Sequence, residues 1–302
     1  MEQIGSLFED YRIIVYENNS TDKTVKILER WKQGNKKVHL KSENIQPSEM
    51  DQCIINIKQD GSFFHPEAIA RARNLVLDIA MSDQYQDFPY IIWMDMDFKI
   101  PPAFEGIVEV FQTNREWDAV FAYGIDPPGN YWDWYAFRNE DYPIGSELLG
   151  DHWWYMHKSF SLKRTDGWYP VYSAFGGCGI YKKSSIVGCR YSGTVTKDLG
   201  TVAQQLIDQK PNHPQIANYI SKNRKLRSFV TINTPTPHLP QIKDPNIGVI
   251  LHNNDPLIWR MSFFVYQYPS VCEHVTFHAS MIANGHNKLF INPRLVFTYG
   301  GY

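Results

Sequence analysis

Apolar positions along this chain switch between the two-residue period of strands and the 3.6-residue period of helices. Residues 12–16 form a short β-rich run that ends in Glu17-Asn18-Asn19-Ser20. Ser20 stands where a helix N-cap belongs, ahead of 21–33, in which Val25, Leu28 and Trp31 recur at helical spacing. Residues 38–40 read as a second short strand. Pro66 suits the first turn of a helix running through Ala80, with Ile69, Leu75, Val76 and Ile79 expected on its inner face. The apolar run 90–94 has strand length and stops at an acidic break, as a central parallel strand would. Pro101 and Pro102 restart a helix carrying Phe104, Ile107, Val110 and Phe111, and 119–123 is another strand. This alternation predicts an α/β fold with a layered, mainly parallel sheet flanked by helices.

The periodicity fails over 126–170, where Pro, Gly, Trp and Tyr dominate a stretch longer than ordinary connections; long ordered loops are usually functional. Glycines at 176, 177 and 179 follow. Residues 200–245 read as a peripheral insertion that ends in a Pro-rich loop at 234–240. Order resumes with strands around 248–251 and 259–265, a helix over about 271–284 and a strand over 289–297. There is no internal repeat, and one domain over 1–302 is expected.

Composition narrows the function classes. The 30 basic and 32 acidic residues leave a net charge of -2, so no global field would draw the chain to nucleic acid or an anionic membrane. No charge-free run is long enough to cross a bilayer and the start lacks a secretory pattern, so a cytoplasmic location is expected. Cys53, Cys178, Cys189 and Cys272 are widely spaced, as reduced core thiols are. The aromatic insertion at 131–138, with Asp151-His152-Trp153-Trp154 after it, offers flat faces for stacking on sugars, with Asp133 or Asp151 bonding hydroxyls; a hydrophobic cluster under a long loop explains the same residues.

The sharpest local feature is Asp95-Met96-Asp97 at the carboxyl end of the run 90–94. Ligands of open α/β sheets gather beyond strand carboxyl ends, and two carboxylates there call for a cation. Mg²⁺ or Mn²⁺ meets that need and completes its shell with diphosphate oxygens.

Three blocks then resemble a family. Residues 13–24, Ile-Ile-Val-Tyr-Glu-Asn-Asn-Ser-Thr-Asp-Lys-Thr, look like the strand and turn by which GT-A glycosyltransferases hold the nucleoside. Ala70-Arg71-Ala72-Arg73-Asn74 resembles their Ala-x-x-Arg-Asn segment ahead of the metal strand. Cys272-Glu273-His274-Val275, a helix, Gly285 and the strand with Pro293 are similar to the late Glu-Asp, helix, Gly, strand, Pro arrangement of family 2-like members. The resemblance implies a Rossmann-like GT-A domain that transfers a hexosyl or pentosyl group from a UDP- or GDP-linked sugar to a glycan or other hydroxyl acceptor. It places Glu17 and Asn18 at the nucleoside, Arg73 at the donor diphosphate, Asp95 and Asp97 on the metal, and Gly176 and Gly177 beside the donor sugar. Arg71 and Arg73 on a solvated helix face is the plain alternative.

An acid opening the late helix acts as general base in that family, a role that falls to Glu273. His274 stands where the family usually has Asp, so Glu273 is the base, or His274 is, or the enzyme retains configuration and has none. The family's third metal ligand, commonly a late His, has no counterpart after Leu295; His278, His286 or water would substitute. The nucleotide-binding strand that usually opens such domains has no counterpart before Glu17, which implies a start lacking that strand. The alternative is a catalytically degenerate, carbohydrate-binding scaffold of the same fold.

Overall fold

A computed structural model describes residues 1–46, 56–57, 63–64, 66–96, 98–100, 104–145, 160–193, 196–217, 251–252, 255–256 and 271–299. Asp97, Cys53, Asp151 to Trp154, the Pro-rich 234–240 and the expected strand 259–265 lie outside them. In chain order the elements are α1 (Glu2–Gly5), β1 (Ile13–Asn18), α2 (Thr24–Gly34), β2 (Val38–Glu43), β3 (Asn56–Ile57), β4 (Phe63–Phe64), α3 (Pro66–Ala80), β5 (Tyr90–Met94), β6 (Phe98–Ile100), α4 (Phe104–Gln112), β7 (Ala119–Ile125), β8 (Tyr169–Pro170), β9 (Cys178–Lys182), α5 (Lys197–Gln209), β10 (Leu251–His252), β11 (Asp255–Pro256), α6 (Glu273–Ala283) and β12 (Leu289–Tyr299).

The fold is mixed α/β. β1 and β2 pair in parallel, from Ile13 opposite Val38 to Asn18 opposite Glu43, with α2 as the crossover. α2 begins at Thr24 rather than Thr21, because the Ser20 amide turns back to Glu17 Oε1 at 2.8 Å while Asp22 Oδ1 accepts the Thr24 amide at 2.8 Å. The main sheet runs β5-β9-β7-β12-β6, with β8 added on β12. Here the expectation of a mainly parallel sheet is corrected: β7 and β12 are parallel, whereas β5–β9, β7–β9, β12–β6 and β12–β8 are antiparallel. β5 is likewise an end strand of this path, not a central parallel one. Its run Tyr-Ile-Ile-Trp-Met is apolar because both faces are covered, Ile91 and Trp93 by one cluster, Ile92 and Met94 by the other. Coverage of both faces fixes composition but not the direction of the neighbouring strand.

Two cores sandwich the sheet, and β7 divides them residue by residue. Ala119, Phe121 and Tyr123 face the layer of α3, α5 and α6, where Leu77, Leu206, Val275 and Phe277 pack. Val120 and Ala122 face Ile107 and Val110 of α4. The inner face of α3 is out of phase with the expected one: Pro66, Ala70, Leu77 and Ala80 are buried, and Ile69 is 48% exposed. Residues 200–209 of the stretch expected to be peripheral lie inside α5, whose Leu199, Val202, Ala203, Leu206 and Ile207 are buried, so that part is core. In β12 the ladder against β7 shifts register between Asn292 and Val296, across Pro293, which has no amide to donate. Cys178, Cys189 and Cys272 are buried free thiols. Among the described residues no helix is long and apolar enough to cross a membrane.

Candidate functional site

The end of β5 is fastened to a glycine turn. The Asp95 amide donates to Gly177 O at 3.0 Å, just past the antiparallel pair Met94–Cys178. Gly176 (φ 62°) and Gly177 (φ 88°) both lie in the left-handed region that glycine tolerates. A Cβ on Gly176 would collide with the carbonyl of Ala122, so β7 and the turn approach as only glycine permits. From the loop after β7, Asp133 Oδ2 accepts the Gly176 amide at 2.8 Å. One hydrogen-bonded path thus runs Asp133–Gly176–Gly177–Asp95.

Arg73 and Glu273 complete the group. Ala70, Arg73, Leu77 and Ala80 follow one helical stripe, which turns Arg73 inward from α3 with a side chain 12% exposed. Its guanidinium donates from Nε to Glu273 Oε1 at 2.9 Å and from Nη2 to Asp95 Oδ1 at 3.0 Å. The rings of Phe175, Trp93 and Tyr191 surround it at 5.0, 5.8 and 5.9 Å. Burial alone would lower the Arg73 pKa, but Asp95 and Glu273 outweigh it and hold the guanidinium more firmly protonated than usual. Glu273 opens α6, where the helix dipole favours a carboxylate, and is 5% exposed. Next to it His274 stacks on Phe175 with centroids 3.8 Å apart. Its Nε2 is 3.5 Å from Glu273 Oε1, and neither ring nitrogen has a hydrogen-bond partner among the described residues. Burial first, then Arg73 and His278, push its pKa well below the ordinary histidine value, so the imidazole is neutral.

Arg73 thus bonds two carboxylates, and a third, Asp133, lies near enough to feel the charge of both. The consequence falls on Asp133, whose carboxyl is pushed up to about 6, chiefly by burial and further by Asp95 and Glu273. The donor set suits a cation by charge. By number it supplies few ligands: among the described residues no group of three or more His, Cys, Asp or Glu side chains is placed to hold a metal. Asp97 lies outside those residues, and one or two carboxylates suffice for Mg²⁺ when phosphate and water complete its shell.

The other expected residues fall elsewhere. Glu17 is buried at the end of β1, where its carboxylate accepts from Ser20 N and from Ser42 Oγ at 2.7 Å; burial would raise its pKa, and these bonds more than reverse that. Among the described residues none of its bonds reaches the Asp95 group. Asn18 is half-buried beside it and donates from Nδ2 to Asn19 Oδ1 at 3.1 Å. α3 joins the two places: Arg71 reaches Glu43 at 2.8 Å and the Tyr16 hydroxyl at 3.1 Å, while Arg73, two positions on, reaches Asp95. The plain alternative of a solvated helix face does not hold for Arg73, whereas Arg71 remains partly solvated, its side chain 35% exposed. Neither substitute for a third metal ligand joins Asp95: His278 bonds Ser173 Oγ at 2.9 Å and the Tyr181 hydroxyl at 3.0 Å, and His286 bonds Asp118 at 3.2 Å. Of the aromatic insertion, Tyr131, Phe137 and Arg138 are core, whereas Trp132 is 51% exposed and leans on Tyr299. Sequence reasoning missed the cage of Phe175, Trp93 and Tyr191 around Arg73; an aromatic beside the glycine pair was the available signal for Phe175, and Tyr191 offered none.

Comparison of the chain with protein-family models, with curated proteins and with solved structures finds no match.

Proposed function

We propose that this chain is a metal-dependent GT-A glycosyltransferase that moves a sugar from a UDP- or GDP-linked donor to a hydroxyl of a glycan or other acceptor. The observation that carries the reading is the convergence of Asp95, Arg73 and Glu273 at the carboxyl end of β5 and the start of α6. Two separate blocks of the sequence resemblance, the Ala-x-x-Arg-Asn segment and the late acid at a helix start, supply Arg73, which donates to Asp95, and Glu273, the second carboxylate that Arg73 bonds.

In this reading Mn²⁺ or Mg²⁺ is held by Asp95 with Asp97, and when bound it neutralises the charge that develops on the departing diphosphate. The chain's own groups do the rest. Glu273 accepts the proton of the acceptor hydroxyl; His274, whose basicity burial suppresses, lies behind it. Gly176 and Gly177 let main chain lie against the donor sugar. The turn at Glu17 and Asn18 receives the nucleoside, with Glu17 holding the turn's shape through Ser20 and Ser42.

Thermal unfolding with a panel of UDP- and GDP-sugars, with and without Mn²⁺, tests this, since a ligand that prefers the native state raises its stability. A metal-dependent rise with one nucleotide class, lost in Asp95→Asn, is expected. A rise with glycans alone, indifferent to Mn²⁺ and nucleotide, sinks the enzyme reading in favour of a carbohydrate-binding scaffold.

A further inference from the structure

Arg73 is engaged more deeply than a phosphate-binding arginine needs to be. Two of its nitrogens are committed to carboxylates on separate elements, and three aromatic rings leave its side chain 12% exposed. Asp95 is the more open partner, its side chain 33% exposed against 7% for Glu273. The two bonds therefore differ: the one to Glu273 is buried between α3 and α6, whereas the one to Asp95 reaches the more exposed carboxylate.

We propose that Arg73 is a positioning residue and resident counter-ion, which keeps Glu273 throughout and gives up Asp95 when a divalent cation is bound. The inference rests on the reading of Asp95 as a metal ligand. A guanidinium is suited to it, since its planar fork serves two carboxylates at once and one arm can move while the other stays. The cation and Arg73 compete for the same oxygens, so the resting protein avoids an uncompensated carboxylate and the occupied site avoids excess positive charge.

Mn²⁺ binding, followed by the spin-resonance signal of free Mn²⁺ first without nucleotide and then with UDP or GDP added, tests it in the wild type and four variants. Arg73→Gln removes the competitor and binds Mn²⁺ roughly tenfold more tightly or better, the change expected when about one opposing hydrogen-bonded ion pair is removed. Arg73→Lys keeps the charge but loses the fork, and binds more tightly than wild type by a smaller factor. Glu273→Gln frees the whole guanidinium for Asp95 and binds more weakly, and Asp95→Asn abolishes binding. If wild type binds through Asp95 but Arg73→Gln and Arg73→Lys are unchanged or weaker, competition is overturned and the metal reading stands. If Arg73→Gln is tighter while Arg73→Lys equals wild type, the effect is one of net charge and the proposed release is overturned. Should Arg73→Gln fail to fold, Arg73→Lys and Glu273→Gln still carry opposite signs. Absence of Mn²⁺ binding by every protein, both alone and with UDP or GDP added, overturns the metal assignment of Asp95 and this proposal with it.

Discussion

Asp133 and Gly176 are joined by a 2.8 Å hydrogen bond in which the glycine amide donates to the carboxylate, tying the loop after β7 to the turn that holds Asp95. The same carboxylate is enclosed beside Asp95 and Glu273. Its folded pKa of about 6 lies above the ordinary 3.8. Between those values the folded protein holds a proton that the unfolded chain has lost, so this group's contribution to stability falls as pH rises from about 4 to 6 and stays low above.

Asp133→Asn keeps an acceptor for Gly176 and removes the charge. Chemical unfolding at pH 7.5 is expected to show the variant more stable than wild type by about 1 to 2 kcal/mol, after discounting for partial exposure. The difference shrinks toward zero near pH 4. An equal or lower stability at pH 7.5 contradicts the buried-charge assignment.

Gly176→Ala combines a φ of 62° with a collision against the Ala122 carbonyl. A loss of about 3 kcal/mol or more is expected. Gly188, at φ 78° with open space around a Cβ, is the control, and Gly188→Ala should lose about 1 kcal/mol. Equal losses in denaturant titrations of the two would show that backbone conformation, not close approach, dominates at Gly176.

Burial holds the His278 pKa down to about 3, below the ordinary 6.5, while its ring bridges Ser173 and Tyr181. The unfolded chain takes up this proton first as pH falls, so the stability His278 contributes is full above about 6.5 and drains away down to about 3. Its slope approaches 1.4 kcal/mol per pH unit. His278→Asn should start less stable at pH 7.5 and lose less between pH 6.5 and 4 than wild type does, measured by thermal or urea unfolding. Parallel profiles would assign the acid sensitivity to other groups.

Asn19, at φ 58°, extends the edge of β2: its side-chain amide donates to Ile45 O and accepts from Ile45 N, each at 3.0 Å. Asn19→Ala loses both bonds and keeps an unfavourable backbone, for an expected cost of about 2 kcal/mol. Asn19→Gly loses the bonds and relieves the backbone, so it should fall between. The ordering of the urea midpoints checks this; an Ala variant as stable as the Gly variant would remove the backbone part of the explanation.

Local pattern alone was enough to locate most elements. The run 90–94 is β5 to the residue, α4 buries Ile107 and Val110 as their spacing requires, and α6 and β12 lie where the late periodicity put them. Asp95 at a strand end, the close-approach glycines and an acid at a helix start were legible too, because each is a property of a few neighbouring residues. What only the tertiary structure decided is what depends on partners distant in sequence. An apolar run reports that both faces are covered, not which strand lies beside it, so the antiparallel β5–β9 pair was hidden. Arg73 reads as a diphosphate-facing or a solvated arginine until Asp95 and Glu273, the latter 200 positions away, are brought to it. Asp133 reads as a loop carboxylate until enclosure raises its pKa. Periodicity encodes which face of an element meets the core, whereas the charge a buried group can keep is fixed by the three-dimensional sum of its neighbours.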